Sequence, residues 1–189
     1  RLGGHPISGS YLSISDAERL AVTRDHFGGR RILLIDRDGT INSRAAPGEY
    51  VADWGQFEFV SETVEAMETL AVDGFEFIVI TNQAGIALGV VDEAEVRRLH
   101  EKMVDWLAHR GIRVVDVYMS PDHWESDSMI RKPAPGMFHA ASEDHRFRLD
   151  RVLYVGHDVR DCEAAAAAGC GMIFLADAAS VAQLPVNRR

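Results

Sequence analysis

Two carboxylates one residue apart, Asp36 and Asp38, stand in the run Asp36-Arg37-Asp38-Gly39-Thr40-Ile41-Asn42, directly after a short apolar segment. Leaving a strand into a tight glycine-containing turn, side chains at that spacing point into one space above a sheet edge. Such a pair suits a carboxylate nucleophile beside a general acid and base, with Mg²⁺ between them and a phosphate. Asp and Gly after a strand also make ordinary turns. An EF-hand reading fails, because the twelfth position counted from Asp36 is Pro47 rather than Glu.

Later segments supply what such chemistry requires. Thr81-Asn82-Gln83-Ala84-Gly85 offers a hydroxyl and backbone N–H groups for phosphate oxygens, and Arg131-Lys132-Pro133-Ala134-Pro135-Gly136 puts cations ahead of a proline-stiffened helix start. Gly156-His157-Asp158-Val159-Arg160-Asp161 brings further carboxylates. Each segment alone reads as a turn or a surface charge. All of them, in order and each after an apolar run, read as one site.

The elements that must position them follow from periodicity. Short β-rich apolar runs at 32–35, 75–80, 114–119, 152–155 and 171–175 alternate with helical patterns at 61–72, 93–110, 136–145 and 160–168. In the longest, Asp92 with Glu95 forms a capping box, Val96, Leu99, Met103, Trp106 and Leu107 share a face, and Gly111 ends it. Strand then helix, repeated, predicts an α/β fold: a Rossmann-like three-layer sandwich with a mostly parallel central sheet. Ligands of such sheets sit at the carboxyl ends of the strands, where all four segments fall. About forty residues separate the first two segments and already contain a helix, which leaves no large cap domain and an open site suited to small substrates. Residues 1–30, with a helix candidate at 16–24, read as an extension or linker ahead of a domain at 31–189. Ala164 to Ala168 reads as a tightly packed helix face.

Composition narrows the partners. The 189 residues carry 20 Lys and Arg against 29 Asp and Glu, a formal charge of −9. That balance argues against nucleic acid or an anionic membrane as the main partner, since phosphate-backbone affinity needs clustered cations. A small phosphorylated substrate needs only a few local donors. No apolar run approaches the ~18 residues of a membrane span, and the start lacks the build of a signal peptide. A first residue other than Met reads as a fragment or a processed chain. Cys162 and Cys170 make no disulfide framework, so a reducing, cytoplasmic setting is expected.

The four segments together resemble the motifs of the haloacid dehalogenase-like phosphatase superfamily, most nearly its D-glycero-D-manno-heptose 1,7-bisphosphate 7-phosphatases, with histidinol-phosphate phosphatases next. The resemblance spans about residues 31–178 and includes Phe57-Glu58-Phe59 and the Gly85-Ile86-Ala87 that closes the second motif. It implies Mg²⁺-dependent removal of the 7-phosphate of a heptose bisphosphate. Asp36 would be the nucleophile, Asp38 the general acid and base, Thr81 a phosphoryl ligand and Lys132 the neutralising cation. Asn82, Gln83, Arg131 and Arg44 would face the substrate, and Asp36, Asp38 and Asp158 would hold the metal.

The chain also departs from that pattern. The family's metal-binding Asp after the glycine of the last motif is His157 here, leaving Asp158, Asp161 or a weakened site as alternatives. The stretch 120–130 has one His and no Cys, so no structural zinc is expected. The Arg expected after Gly-Ile-Ala is Leu88. These departures keep open a histidinol-phosphate or other small-metabolite phosphatase, and a non-catalytic phospholigand-binding domain with an eroded metal site. Residues 8–20 faintly resemble the closing segment of sugar-nucleotidyltransferases, which would imply fusion to such an enzyme upstream; a helical extension packed on the domain is the competing reading.

Overall fold

The computed structural model describes residues 30–46 and 48–175. Expectations for residues 1–29 and for the end of the chain lie outside the described residues. Five strands, β1 (Arg31–Ile35), β2 (Phe75–Asn82), β3 (Val114–Ser120), β4 (Leu153–Gly156) and β5 (Gly171–Phe174), form one sheet in the order β3-β2-β1-β4-β5. Every pairing is parallel. The helices are α1 (Ser61–Val72), α2 (Glu93–Ala108), α3 (Gly136–His145) and α4 (Val159–Ala168).

Alternation along the central strands decides which helix covers which face. Leu33 and Ile35 of β1, with Phe77 and Val79 of β2, pack with Val64 and Met67 of α1 and Leu99, Met103 and Leu107 of α2. The intervening Ile32, Leu34, Ile78 and Ile80 face Met137, Phe138 and Ala141 of α3 and Ala164, Ala165 and Ala168 of α4. Strands buried on both faces must be apolar throughout, which is why β1 is an unbroken Ile-Leu-Leu-Ile run after Arg31. Of the run Ala164 to Ala168, Ala164, Ala165 and Ala168 form the close-packed face, while Ala166 and Ala167 are exposed on the opposite side. The three layers are therefore those the sequence implied.

Boundaries differ from the periodicity where hydrogen bonding, not hydrophobicity, sets them. β2 runs on through Thr81 and Asn82, which pair with Met119 and Ser120, so two polar residues are fixed on a rigid strand end. α2 stops at Ala108, with Gly111 in the left-handed region at φ 78° just beyond. Asp92 caps it, accepting from the amides of Ala94 and Glu95. Between β1 and β2 the described chain carries α1 and a short 3-10 turn at Trp54–Gln56. The loop is pinned by aromatic stacking, Trp54 on Phe57 at 5.4 Å between centroids and Phe59 on Trp106 of α2 at 3.8 Å. No helix among the described residues is long and apolar enough to cross a membrane.

The chain visits β1, moves outward through β2 to β3, then returns to β4 on the other side of β1. That reversal opens a crevice above the carboxyl ends of β1 and β4.

Candidate active site

Asp36 is the first residue past β1, and its backbone N–H donates to Val155 O of β4 at 2.8 Å, which fixes the carboxylate over the crevice. It is almost fully buried, at 5% exposure. Lys132 reaches it from the loop before α3. The Lys132 Nζ lies 2.7 Å from Asp36 Oδ1, 2.7 Å from Asp161 Oδ1, 2.7 Å from the Tyr154 hydroxyl and 3.0 Å from Ile80 O. Burial alone would strip the proton from this amine, but the charges of Asp36 and Asp161 outweigh it and hold Lys132 above its ordinary pKa. Burial pushes Asp161 the other way, and Lys132 overrides that push and keeps it ionised. The Tyr154 hydroxyl, buried among the same charges, is pushed well up and stays protonated. One ammonium therefore bridges two buried carboxylates.

Asp161 is fully engaged. Besides Lys132 and the Tyr154 hydroxyl at 3.0 Å, it accepts from the N–H groups of His157 at 3.1 Å and Asp158 at 3.0 Å. It forms half of a reciprocal capping box with Asp158 at the start of α4.

Asp38 has a different environment two residues on. The wholly buried Arg37 guanidinium grips Asp38 Oδ1 through Nε at 3.1 Å and Nη2 at 2.7 Å, Asn42 Nδ2 donates to the same oxygen at 3.0 Å, and Gln83 Nε2 donates to Oδ2 at 2.7 Å. Burial raises the Asp38 pKa, yet Arg37, Asn42 and Gln83 outweigh it and hold the carboxyl below its usual range. Arg37 is itself held by His100 Nε2 at 2.8 Å and by Val51 O at 3.1 Å. Burial and then the Arg37 charge push His100 down to about 3, so it is a neutral acceptor. Arg37, His100 and Tyr154, which the motif reading did not single out, hold charged groups of this cluster. Arg37 stood inside the first motif, and His100 shares the buried face of α2, where a helical-period reading marks core rather than chemistry.

The remaining expected residues divide. Thr81, 1% exposed, shares Gln83 Nε2 at 2.9 Å and lines the same space as Asp36. Asn82 is committed to the chain rather than to open space: its side chain donates to Lys132 O and accepts from Lys132 N–H, both at 3.0 Å, and so anchors the lysine-bearing loop to β2. Gln83 likewise orients Asp38. Arg131, 8% exposed, donates to Asp122 O at 2.9 Å. Asp122 in turn accepts from the hydroxyls of Ser120 and Ser128, which knit the loop after β3.

Asp36, His157 and Asp161 bring one ligand atom each within 4.8 Å of one another. The His157 Nδ1 stands 3.3 Å from Asp36 Oδ2, while its Nε2 is buried without a hydrogen-bond partner. Gly39 makes room for this ring. Its φ is 80°, and a Cβ there would lie 2.6 Å from His157 Nε2. Asp158, expected among the metal ligands, lines the same small cavity but stands outside the Asp36–His157–Asp161 group, because its carboxylate caps α4. Its carboxylate accepts from Arg160 N–H at 2.9 Å, from Arg160 Nε at 2.8 Å and Nη2 at 2.9 Å, and from Arg44 Nη2 at 3.1 Å. Arg160 holds it far below the usual carboxylate range.

A cavity of about 80 Å³ lies over Asp36, Thr81, Lys132 and His157. It admits a phosphoryl group but no sugar. Beside it, sharing Asp38, Asn82 and Arg160, a second cavity of about 380 Å³ is lined by Arg44, Tyr50, Trp124 and Arg131. A further cavity of about 800 Å³ continues outward from the loop at 43–54 across α2 and touches none of the reactive groups.

The chain is similar to known phosphatases. The family model described as polynucleotide kinase 3 phosphatase matches residues 31–168. A D-glycero-beta-D-manno-heptose-1,7-bisphosphate 7-phosphatase from Escherichia coli O6:H1 is 37% identical over 147 residues, 74% of this chain and 75% of the relative. The crystal structure of D,D-heptose 1,7-bisphosphate phosphatase from B. bronchiseptica, complexed with magnesium and phosphate, superposes with a TM-score of 0.70 at 30% identity over 75% of this chain and 78% of that one. A putative haloacid dehalogenase-like phosphatase from Mesorhizobium loti superposes with a TM-score of 0.68 at 29% identity, covering 75% and 69%.

Proposed function

We propose that this chain, which belongs to the haloacid dehalogenase-like phosphatase family and is a phosphatase, removes the 7-phosphate of a heptose 1,7-bisphosphate through an aspartyl-phosphate intermediate. The observation that carries this reading is the Asp36–Lys132–Asp161 cluster at the floor of a phosphoryl-sized cavity that opens onto a sugar-sized one. The named relatives supply the substrate class.

The Asp36 carboxylate attacks phosphorus, and the bond from phosphorus to the sugar oxygen breaks as the bond to Asp36 forms. Asp38 gives its proton to the departing alkoxide. It then takes a proton from the water that attacks the phosphorus of the aspartyl phosphate, which returns inorganic phosphate and a free Asp36. In the free protein the Arg37 grip leaves Asp38 ionised. A phosphate dianion arriving beside it raises its proton affinity and so loads the acid only when substrate is present. Lys132 balances charge that Asp36 shares with the phosphoryl group, and the Thr81 hydroxyl meets a phosphoryl oxygen. Fixed donors of this kind are most of what phosphoryl transfer requires.

The donors present fit a divalent cation. Asp36 and the buried His157, whose Nδ1 lies 3.3 Å from Asp36 Oδ2, would hold it, with Asp161 behind them. Such an ion supplies positive charge to the phosphoryl oxygens and to the acidic floor. Mg²⁺ is the reading supported by the relative crystallised with magnesium.

The test is phosphate release from heptose 1,7-bisphosphate, histidinol phosphate and a 3′-phosphorylated oligonucleotide, with Mg²⁺, by the wild type and by Asp36→Asn. The expected result is turnover of the heptose ester above the others and its loss in the variant. Full activity in Asp36→Asn would overturn the nucleophile. Preference for either of the other esters would overturn the substrate.

A further inference from the structure

Asp38 stands in the wall of both the 80 Å³ cavity over Asp36 and the 380 Å³ cavity beside it. As the group that protonates the departing oxygen, it fixes where the carbon skeleton on that oxygen lies, which is in the larger space. Charges of both signs line that space, Glu49 as well as Arg44, Arg131 and Arg160, and so do two aromatic rings, Tyr50 and Trp124. Donors and acceptors together suit a ligand rich in hydroxyls, while the rings suit one that also has an apolar face.

Trp124 is 55% exposed, and its indole N–H donates to no group among the described residues. A single exposed apolar side chain is ordinary; the way the chain holds this one is not. Ser120 at the end of β3 and Ser128 further on both donate their hydroxyls to Asp122 Oδ2, which closes the loop between them at its base. Within the loop, His123 O accepts from Ser126 N–H at 3.1 Å and from the Ser126 hydroxyl at 2.6 Å, and His123 Nδ1 accepts from Glu125 N–H at 3.2 Å. The His123 ring packs against Trp124 with 3.9 Å between centroids. Tyr50 is seated as firmly: a Cβ on Gly85 would lie 2.8 Å from its Cγ, so the ring occupies the room that this glycine leaves. The Gly85 loop also ties Ala87 N–H to Pro121 O at 3.2 Å, at the foot of the Trp124 loop. Both rings are therefore fixed before a ligand arrives, and a rigid aromatic wall binds without the entropy cost of ordering it.

We propose that Trp124 is a specificity-determining residue whose indole face stacks on the apolar C–H face of the leaving group's sugar ring, with His123 and the Ser120–Asp122–Ser128 knot holding it in place. The inference rests on the proposed sugar substrate and deepens it by naming the side chain that tells a ring-bearing ester from a small one. Asp36, Thr81 and Lys132 meet any phosphoryl group alike, whereas Trp124 meets what departs from it.

The test compares kcat/KM for heptose 1,7-bisphosphate with that for glycerol 3-phosphate, an ester with hydroxyls but no ring, in the wild type, Trp124→Ala and Trp124→Phe. Trp124→Ala is expected to lower the preference for the heptose ester about 10-fold, the scale of one aromatic contact, chiefly through KM. Trp124→Phe keeps a ring and is expected to recover most of that preference. In Asp36→Asn protein, the heptose ester is expected to shift the part of the fluorescence that Trp124→Phe removes, and inorganic phosphate alone is not. Equal loss on both esters, an unchanged preference in Trp124→Ala, or Trp124→Phe as poor as Trp124→Ala overturns the platform. So does an emission shift with phosphate alone, or none with the sugar ester that the wild type turns over. If another sugar phosphate is turned over in place of the heptose ester, the heptose reading fails, and the same ratio for that sugar decides the platform. Turnover of histidinol phosphate or glycerol 3-phosphate with no sugar ester overturns both.

Discussion

Arg37 and Asp38 are neighbours in the chain, and their side chains turn back on each other so that a fully buried guanidinium contacts the carboxylate at 2.7 Å. Consecutive residues of a strand would point to opposite faces. The turn after β1, with Gly39 at φ 80°, lets both point above the sheet. Arg37 thereby sets the proton affinity of the proposed acid and base. Arg37→Gln is expected to move the alkaline limb of the kcat/KM profile to higher pH, because the cation that holds Asp38 below its usual range is gone and the acid keeps its proton longer. A loss of rate with an unmoved limb would mean that Arg37 acts on structure alone.

His100 turns the same cluster into a source of acid sensitivity. Its folded pKa of about 3 lies below the ordinary 6.5, with burial the larger cause and Arg37 the next. Between those values the native state binds fewer protons than the unfolded chain. The stability from a neutral His100 is therefore complete above about pH 6.5 and lost as pH falls toward 3, by up to a few kcal/mol. Protonation would also set a second cation against Arg37 Nη1, 2.8 Å away. Thermal melts of wild type and His100→Gln between pH 7 and 4 measure this. The wild type should lose Tm more steeply, since Gln accepts the Arg37 bond without titrating. Parallel curves would remove His100 as the cause.

Lys132→Met leaves Asp36 and Asp161 buried without a counter-charge, and removal of one partner from a buried pair costs about 3–5 kcal/mol. Tm should fall by several degrees or more and phosphate release should be lost. Part of the stability should return in Lys132→Met with Asp161→Asn, which deletes a stranded charge, while activity should not. A single variant as stable as the wild type would show that the three charges are not coupled.

The sheet and the reactive strand ends were legible in the amino-acid sequence because both rest on local rules. Alternation along β1 and β2 assigns their two faces; Asp36, Asp38 and Thr81 stand at the carboxyl ends of those strands, and Lys132 comes from the loop between β3 and α3. What was not legible depended on side chains that meet across the fold. Nothing local says that Asn82 spends both ends of its amide on the Lys132 backbone, or that His100 on α2 meets Arg37. Asp158 shows the limit best. As a carboxylate after the motif glycine it read as a metal ligand. Its place at the first turn of α4 turns it toward the amide and guanidinium of Arg160 instead.

His157 is then the residue next to Asp36 that can complete a metal shell. Neighbouring ligands of an octahedral ion with bonds of about 2.0–2.1 Å stand roughly 3 Å apart, and His157 Nδ1 lies 3.3 Å from Asp36 Oδ2. Asp161 Oδ2 is 4.0 Å from the same nitrogen, but its lone pairs are already taken by two backbone N–H groups. An imidazole ligand favours Mn²⁺ and later metals over Mg²⁺, which prefers oxygen. Replacing it by a carboxylate should reverse that bias. Protein loaded with Mn²⁺ is expected to show ¹⁴N modulation in pulsed electron paramagnetic resonance, and His157→Asp should abolish it while narrowing the Mn²⁺ to Mg²⁺ affinity ratio about tenfold. The spectrum reads the ligand directly, whatever the substrate. Absence of ¹⁴N modulation in the wild type would remove His157 from the metal shell and leave its Nδ1 beside Asp36 with the Thr40 hydroxyl as its hydrogen-bond partner.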